Sequence, residues 1–253
     1  MKVELLNAGW MTAARGIWRT GEEQPERPIR VPVPAYLVET ETERILVDTG
    51  LSPAAVADKE AHYGPGPIAF FELEQERSVA EQVDLDTVTM VVLTHLHFDH
   101  AGGLSLIPPS VPVVVQRAEW EGGQDRAAIE RNFFLPRDYA DTPANLTLVD
   151  GDHDLLGDGS IELLSTPGHT PGHQSVRVGD LVIGADVAHY ADVLDDPRFP
   201  SFGDDLDAQA RSAERLLELR DTGLTVLPGH DPDVLRPGPL SQPARRGQPH
   251  QSQ

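Results

Sequence analysis

Residues 95–103 read HLHFDHAGG, placing three of the chain's ten histidines and one aspartate within six positions. Imidazole nitrogen and carboxylate oxygen are ligands for divalent transition metals. Side chains two apart leave an extended backbone on the same side, so one ion can meet both His95 and His97. Asp99 and His100 are neighbours in a segment that turns, and they aim at a second point nearby. The stretch thus offers ligands for two ions and completes neither set. A lone histidine is ordinarily a surface or satisfied core residue, which does not account for HxHxDH as a unit.

The missing ligands should stand where other strands end. His169 lies in TPGHTPGH directly after IELLS, Asp186 in GAD after LVI, and His230 in PGHD after LTVL. Glycine and proline around them set sharp turns that present a ligand rigidly. The expected division is His95, His97 and His169 on one ion and Asp99, His100 and His230 on the other, with Asp186 bridging. Such a set suits Zn²⁺, the first expectation, with Mn²⁺, Fe²⁺ or Co²⁺ as alternatives. Two ions roughly 3.5–4 Å apart share a hydroxide at neutral pH and polarise a carbonyl, which is metal-assisted hydrolysis.

The elements that carry these residues follow from local pattern. Val31 to Glu39 and Arg44 to Asp48 read as antiparallel strands around TETE, and residues 76–84 as a helix. TMVVLT (89–94) and PVVVQ (112–116) are apolar runs of buried-strand length, and 118–135 reads as helical. Ile161 to Ser165 is a strand, and Ser175 to Val178 and Leu181 to Gly184 form a hairpin across Gly179-Asp180. Residues 206–219 form an amphipathic helix with Asp204 and Asp205 available as caps, followed by a strand from Leu224 to Leu227. Two β-rich halves with helices suggest an α/β architecture of two sheets packed face to face with helices outside. One domain over 1–236 is expected, followed by a Pro/Gln/Ser-rich tail, 237–253, with too little apolar content to fold.

Composition excludes more than it names. With 20 Lys+Arg against 41 Asp+Glu the formal net charge is −21, which disfavours nucleic-acid and anionic membrane partners. The absence of cysteine removes disulfides, thiolate metal ligands and a cysteine nucleophile. No stretch approaches a membrane span or a signal-peptide core, so a cytoplasmic location is the default expectation. The oligomeric state is left open, a homodimer included.

HLHFDHAGG, TPGHTPGHQS, GAD and PGHD, in this order and spacing, resemble the metallo-β-lactamase superfamily from about residue 3 to 236. The resemblance implies an αββα sandwich, two mixed sheets with helices on the outer faces and a dinuclear site at one edge. VPVPAYLVETETERILVDTG, LTHLHFDHAGG and VVVQRAEWE further resemble the N-acyl homoserine lactonases, the quorum-quenching branch. That branch implies a carboxylic ester hydrolase: hydroxide opens a homoserine lactone ring, and Asp99 protonates the leaving alkoxide. It also implies a tyrosine three residues after the bridging aspartate, hydrogen-bonded to the substrate carbonyl. This chain has His189 there and Tyr190 next, leaving open whether Tyr190, His189 or neither serves.

His173 reads as a hydrogen-bonding support for the ligands, Asp48 of DTG as an orienting group or a turn residue, and His62, His153 and His250 as surface residues. The segment YGPGPIAFFELEQ (63–75), with Phe70 and Phe71, and Trp10, Met11 and Trp18 are candidates to cover the site and receive an acyl chain, core packing being the alternative. Competing functions are hydrolysis of another lactone, of a thioester in the manner of glyoxalase II, or of a β-lactam, and a non-catalytic metal-binding or sensory role.

Overall fold

The structure is a computed structural model that describes residues 1–66, 68–141 and 145–240. Its first sheet contains β1 (Lys2–Ala14), β2 (Pro28–Glu39), β3 (Arg44–Val47), β4 (Glu72–Glu74), β5 (Met90–Val92), β6 (Val113–Gln116) and β7 (Leu146–Val149). The second contains β8 (His153–Asp154), β9 (Ile161–Ser165), β10 (Gln174–Val178), β11 (Leu181–Ile183) and β12 (Thr225–Leu227), after which β13 (Gly238–Leu240) returns to the first. The strand orders are β13-β1-β2-β3-β5-β6-β7, with β4 also on β1, and β12-β11-β10-β9-β8. Both sheets are mixed. β3, β5, β6 and β7 run parallel, β1 to β3 antiparallel, and β11 pairs parallel with β12 in an otherwise antiparallel sheet.

Alternating side chains build three apolar layers. Ile45 and Val47 of β3 and Val114 of β6 face Ile161, Leu163, Val176, Val178 and Ile183 of the other sheet in the central core. Leu46, Val113 and Val115 point outward, where Val79, Val83, Leu104 and Tyr139 cover them. On the far side, Leu164 and Val182 pack beneath Ala213 and Leu216 of the helix Leu206–Asp221. Asp205 caps that helix by accepting from the Ala208 N–H at 2.9 Å, whereas Asp204 pairs with Arg131 and Asn132.

Sequence reading missed β1, the longest strand, because its alternation breaks. Its register against β2 shifts between Asn7 and Trp10, around Gly9 at φ +147°. The single helix expected over 118–135 is two, Arg117–Gly122 and Arg126–Asn132, separated by Gly123, Gln124 and the capping Asp125. Contrary to the unfolded tail expected from 237, Gly238–Leu240 pair with Val3–Leu5 of β1. A sheet edge binds a strand through backbone groups, so low apolar content did not prevent it. The rest of the tail, with His250, lies outside the described residues.

Candidate metal centre and substrate cavity

Every candidate ligand leaves the end of a strand at one edge of the sandwich. His95, His97, Asp99 and His100 follow β5, His169 follows β9, Asp186 follows β11 and His230 follows β12. β5 stops at Val92, so the extended geometry expected to carry His95 and His97 is a loop. His97 then precedes the four-residue helix Phe98–Ala101. All seven side chains are buried.

They form two groups joined at one residue: His95, His97, His169 and Asp186, and Asp99, His100, His230 and Asp186. His97 Nδ1 stands 3.0 Å from His95 Nε2 and 3.0 Å from His169 Nε2, so three ring nitrogens converge. The Asp186 Oδ2 oxygen is 3.4 Å from His169 Nε2 and 3.8 Å from His95 Nε2, facing the first group. Its Oδ1 oxygen lies 3.5 Å from His100 Nε2 and 3.3 Å from His230 Nε2, facing the second, where Asp99 Oδ2 is 3.4 Å from His230 Nε2.

Partners behind the rings set their tautomers. His97 donates from Nε2 to the Asn132 carbonyl at 2.8 Å, leaving the Nδ1 lone pair to the site. His230 donates from Nδ1 to the Pro32 carbonyl at 2.9 Å. Asp48 accepts from His100 Nδ1 at 2.8 Å and from the Thr94 N–H at 2.7 Å, so it orients the second group. His173 accepts from the Asp186 N–H at 3.2 Å and sits 3.0 Å from Thr166 Oγ1, holding the Asp186 loop.

The electrostatics fit cations. Burial holds His95 and His169 well below the usual imidazole range and His173 at about 3, so these rings keep their lone pairs. Burial acts the same way on His100, but Asp99, Asp186 and Asp48 outweigh it and hold that ring well above its usual value. For Asp186, His230, His100 and His189 override the upward effect of burial and keep it ionised. These carboxylates demand a positive charge among the rings, as a divalent ion supplies. His100 Nε2 and Asp186 Oδ1 are buried, face each other at 3.5 Å and make no hydrogen bond. Two such orphaned atoms are costly unless something lies between them.

The groups floor an open cavity. Met11, Trp18, Phe70, Phe71 and Phe98 are among its walls. Phe70 stands at the rim, 53% exposed, while Phe71 is buried rather than exposed. Ile68 of the 63–75 segment also lines it, as do Ile17, Phe133 and Phe202, which were not anticipated because isolated apolar residues carry no periodic signal. Trp10 lies outside it, beneath the Arg30 guanidinium 3.9 Å from its ring. No lysine or arginine lines the cavity among the described residues.

The two residues left as alternatives separate here. His189 is in the cavity wall, donates from Nδ1 to the Trp18 carbonyl at 2.8 Å and places Nε2 3.1 Å from Asp186 Oδ2. Tyr190 is turned into a different pocket with Arg15, Arg19, Glu22 and Ile29, and Arg19 lies over its ring at 4.8 Å. His62 is not a surface residue as expected: it sits 3.2 Å from Asp138, which also accepts from the Tyr63 hydroxyl at 2.8 Å. His153 is exposed, as read.

Backbone fit beside His169 is tight. Gly168 has φ +131°, and a Cβ there would lie 2.1 Å from the Gln209 backbone nitrogen. Gly168→Ala is therefore expected to cost about 3 kcal/mol in urea unfolding of the metal-free protein. A loss below about 0.5 kcal/mol would mean that the loop relaxes freely.

The sequence profile described as the metallo-β-lactamase superfamily matches residues 28–230. The chain belongs to the metallo-β-lactamase superfamily. Within it the chain falls in the N-acyl homoserine lactonase-like branch. It is 31% identical to an N-acyl homoserine lactonase of Bacillus cereus over 77% of this chain and 79% of that one. It is also 31% identical to one of Bacillus thuringiensis over 82% and 84%. A solved N-acyl homoserine lactone hydrolase, with the product N-hexanoyl-L-homoserine at its catalytic metal centre, aligns with a TM-score of 0.79. That match has 26% identity and covers 92% of this chain and 94% of that one. This superfamily member thus carries the αββα fold that its motifs implied.

Proposed function

We propose that the chain is a dinuclear-metal hydrolase that opens the lactone ring of N-acyl homoserine lactones, with quorum quenching as the consequence. The observation that carries this is the pair of ligand groups, joined at Asp186, on the floor of an apolar cavity that no lysine or arginine lines among the described residues. In this reading His95, His97 and His169 hold one ion, Asp99, His100 and His230 the other, and Asp186 both. An all-nitrogen and oxygen set of this kind suits zinc. Two bound divalent ions supply a water-derived nucleophile at neutral pH and Lewis acidity at the carbonyl.

The chain's own residues do the rest. The apolar walls take the acyl chain and exclude water from the reacting ester. His189 faces the cavity beside Asp186 and is the side chain available to the carbonyl oxygen as charge develops there. Asp99, a buried carboxylate in the cavity wall, would take up the proton released as the water-derived nucleophile adds to the carbonyl and pass it to the leaving alkoxide as the ring C–O bond breaks. Among the described residues no lysine or arginine lines the cavity to pair with the outlying carboxylates of an anionic thioester such as a glutathione adduct, which weighs against that rival.

The test is a pH-drift assay over N-acyl homoserine lactones of several chain lengths, with thioester, β-lactam and phosphodiester substrates beside them. Lactone turnover that disappears on chelation is expected, with Asp99→Asn reduced at least ~100-fold. Turnover of another class with lactones untouched would overturn the substrate assignment. Two bound metals with no hydrolysis of any substrate would favour a binding protein.

A further inference from the structure

Glu119 belongs to none of the ligand groups, yet its carboxylate is wholly buried beneath them. It lies in the helix Arg117–Gly122, which follows β6. One oxygen, Oε1, accepts the Leu96 N–H at 2.9 Å, and the other, Oε2, accepts the Gly172 N–H at 2.8 Å. Leu96 is the residue between His95 and His97. Gly172 stands between His169 and His173, so the two oxygens grip the two separate loops that supply the three-histidine group. The close approach is built in: a Cβ at Gly172 would lie 2.1 Å from the Glu119 backbone nitrogen.

The same two loops are also tied at their base, where the Gln174 N–H meets the Thr94 carbonyl at 2.9 Å. A tie at the base sets the strands side by side but leaves the loop tips free to spread. Glu119 acts further out, next to the ligands themselves. A carboxylate is suited to this because its two oxygens are both acceptors at a fixed separation, whereas an amide presents one acceptor and one donor. No comparable single side chain bridges the loops carrying Asp99, His100 and His230 among the described residues.

We propose that Glu119 is a positioning residue that holds the His95/His97 loop against the His169 loop and thereby sets the affinity of the three-histidine site, leaving the other site largely unaffected. The proposal rests on the dinuclear reading above, and its test is independent of which substrate is turned over.

The experiment measures metal binding by stripping the full-length protein with a chelator and reloading it with Co²⁺ or Zn²⁺ under chelator competition. Glu119→Gln and Glu119→Asp are compared with wild type, with circular dichroism as the check on fold. The amide loses one acceptor, and the shorter aspartate keeps the charge but cannot reach both N–H groups. Both variants are expected to keep the wild-type spectrum, weaken one of two sites by 10- to 100-fold and change the Co²⁺ absorption of that site alone. Unchanged binding of both ions, or an equal loss at both sites together with a lowered melting temperature, would overturn the proposal. A folded wild type that takes up no second ion would instead overturn the dinuclear reading.

Discussion

Asp186→Asn is expected to lower kcat/KM at least ~1,000-fold and to reduce the bound metal from two ions per chain to one or fewer. A thousandfold loss is about 4 kcal/mol of transition-state stabilisation. That is the scale on which a second ion and its charge contribute. The reason is position: Asp186 is the residue shared by both ligand groups. Its Oδ1 faces His100 and His230, and its Oδ2 faces His169, His95 and His189. Asparagine keeps the shape but removes the charge and one of the two acceptors, so neither site retains its full set. Burial would ordinarily raise this carboxyl, but His230, His100 and His189 hold it well below the usual carboxylate range. The variant thus also leaves buried rings that the carboxylate had balanced. Metal content by mass spectrometry and steady-state kinetics on one lactone decide the matter. Two tightly held ions at near wild-type turnover would show that Asp186 does not bridge.

His189→Ala is expected to lower kcat/KM about 100-fold while both ions remain bound, and Tyr190→Phe to leave activity within about twofold of wild type. Loss of one donor to a developing oxyanion costs on the order of 10²–10³ in rate. Only His189 of the two side chains reaches the cavity, and with its Nδ1–H given to the Trp18 carbonyl it is that donor through Nε2–H in the doubly protonated ring. His189 lines the cavity, and its Nδ1–H···O=C bond to Trp18 fixes the ring with Nε2 toward Asp186. Tyr190 lines a separate pocket, with Arg19 over its ring. His189→Gln, which preserves a polar group of similar length, should recover part of the loss. The reverse pattern, with Tyr190→Phe inactive and His189→Ala active, would mean that the 189–190 segment rearranges when substrate binds.

Much of the site was legible because metal chemistry restricts ligand types and strand ends restrict where they stand. HxHxDH, the histidine of TPGHTPGH, GAD and PGHD are local patterns, each a strand followed by a Gly- or Pro-bounded loop, and the structure brings all of them to one edge. Glu119 was not legible. Its role comes from two N–H groups that are 76 positions apart in the chain (172 − 96), and nothing in RAEWEG distinguishes it from a solvent-facing glutamate. His62 was misread for the same reason, since its partner Asp138 is distant in sequence. β1 was missed because its bulge at Asn7–Trp10 breaks the period on which strand reading depends.

The sequence by itself determined the candidate ligands, the family and the central strands that carry those residues, because residue type and short-range period are local properties. Tertiary structure alone decided that His189 rather than Tyr190 reaches the cavity, that Met11 and Trp18 of the first twenty residues form its wall with Phe98, and that Trp10 does not. Those outcomes depend on which way a loop of one or two residues turns and on which strands become neighbours. Sheet pairing and core packing settle both through contacts between residues far apart in the chain, and local period carries no record of them.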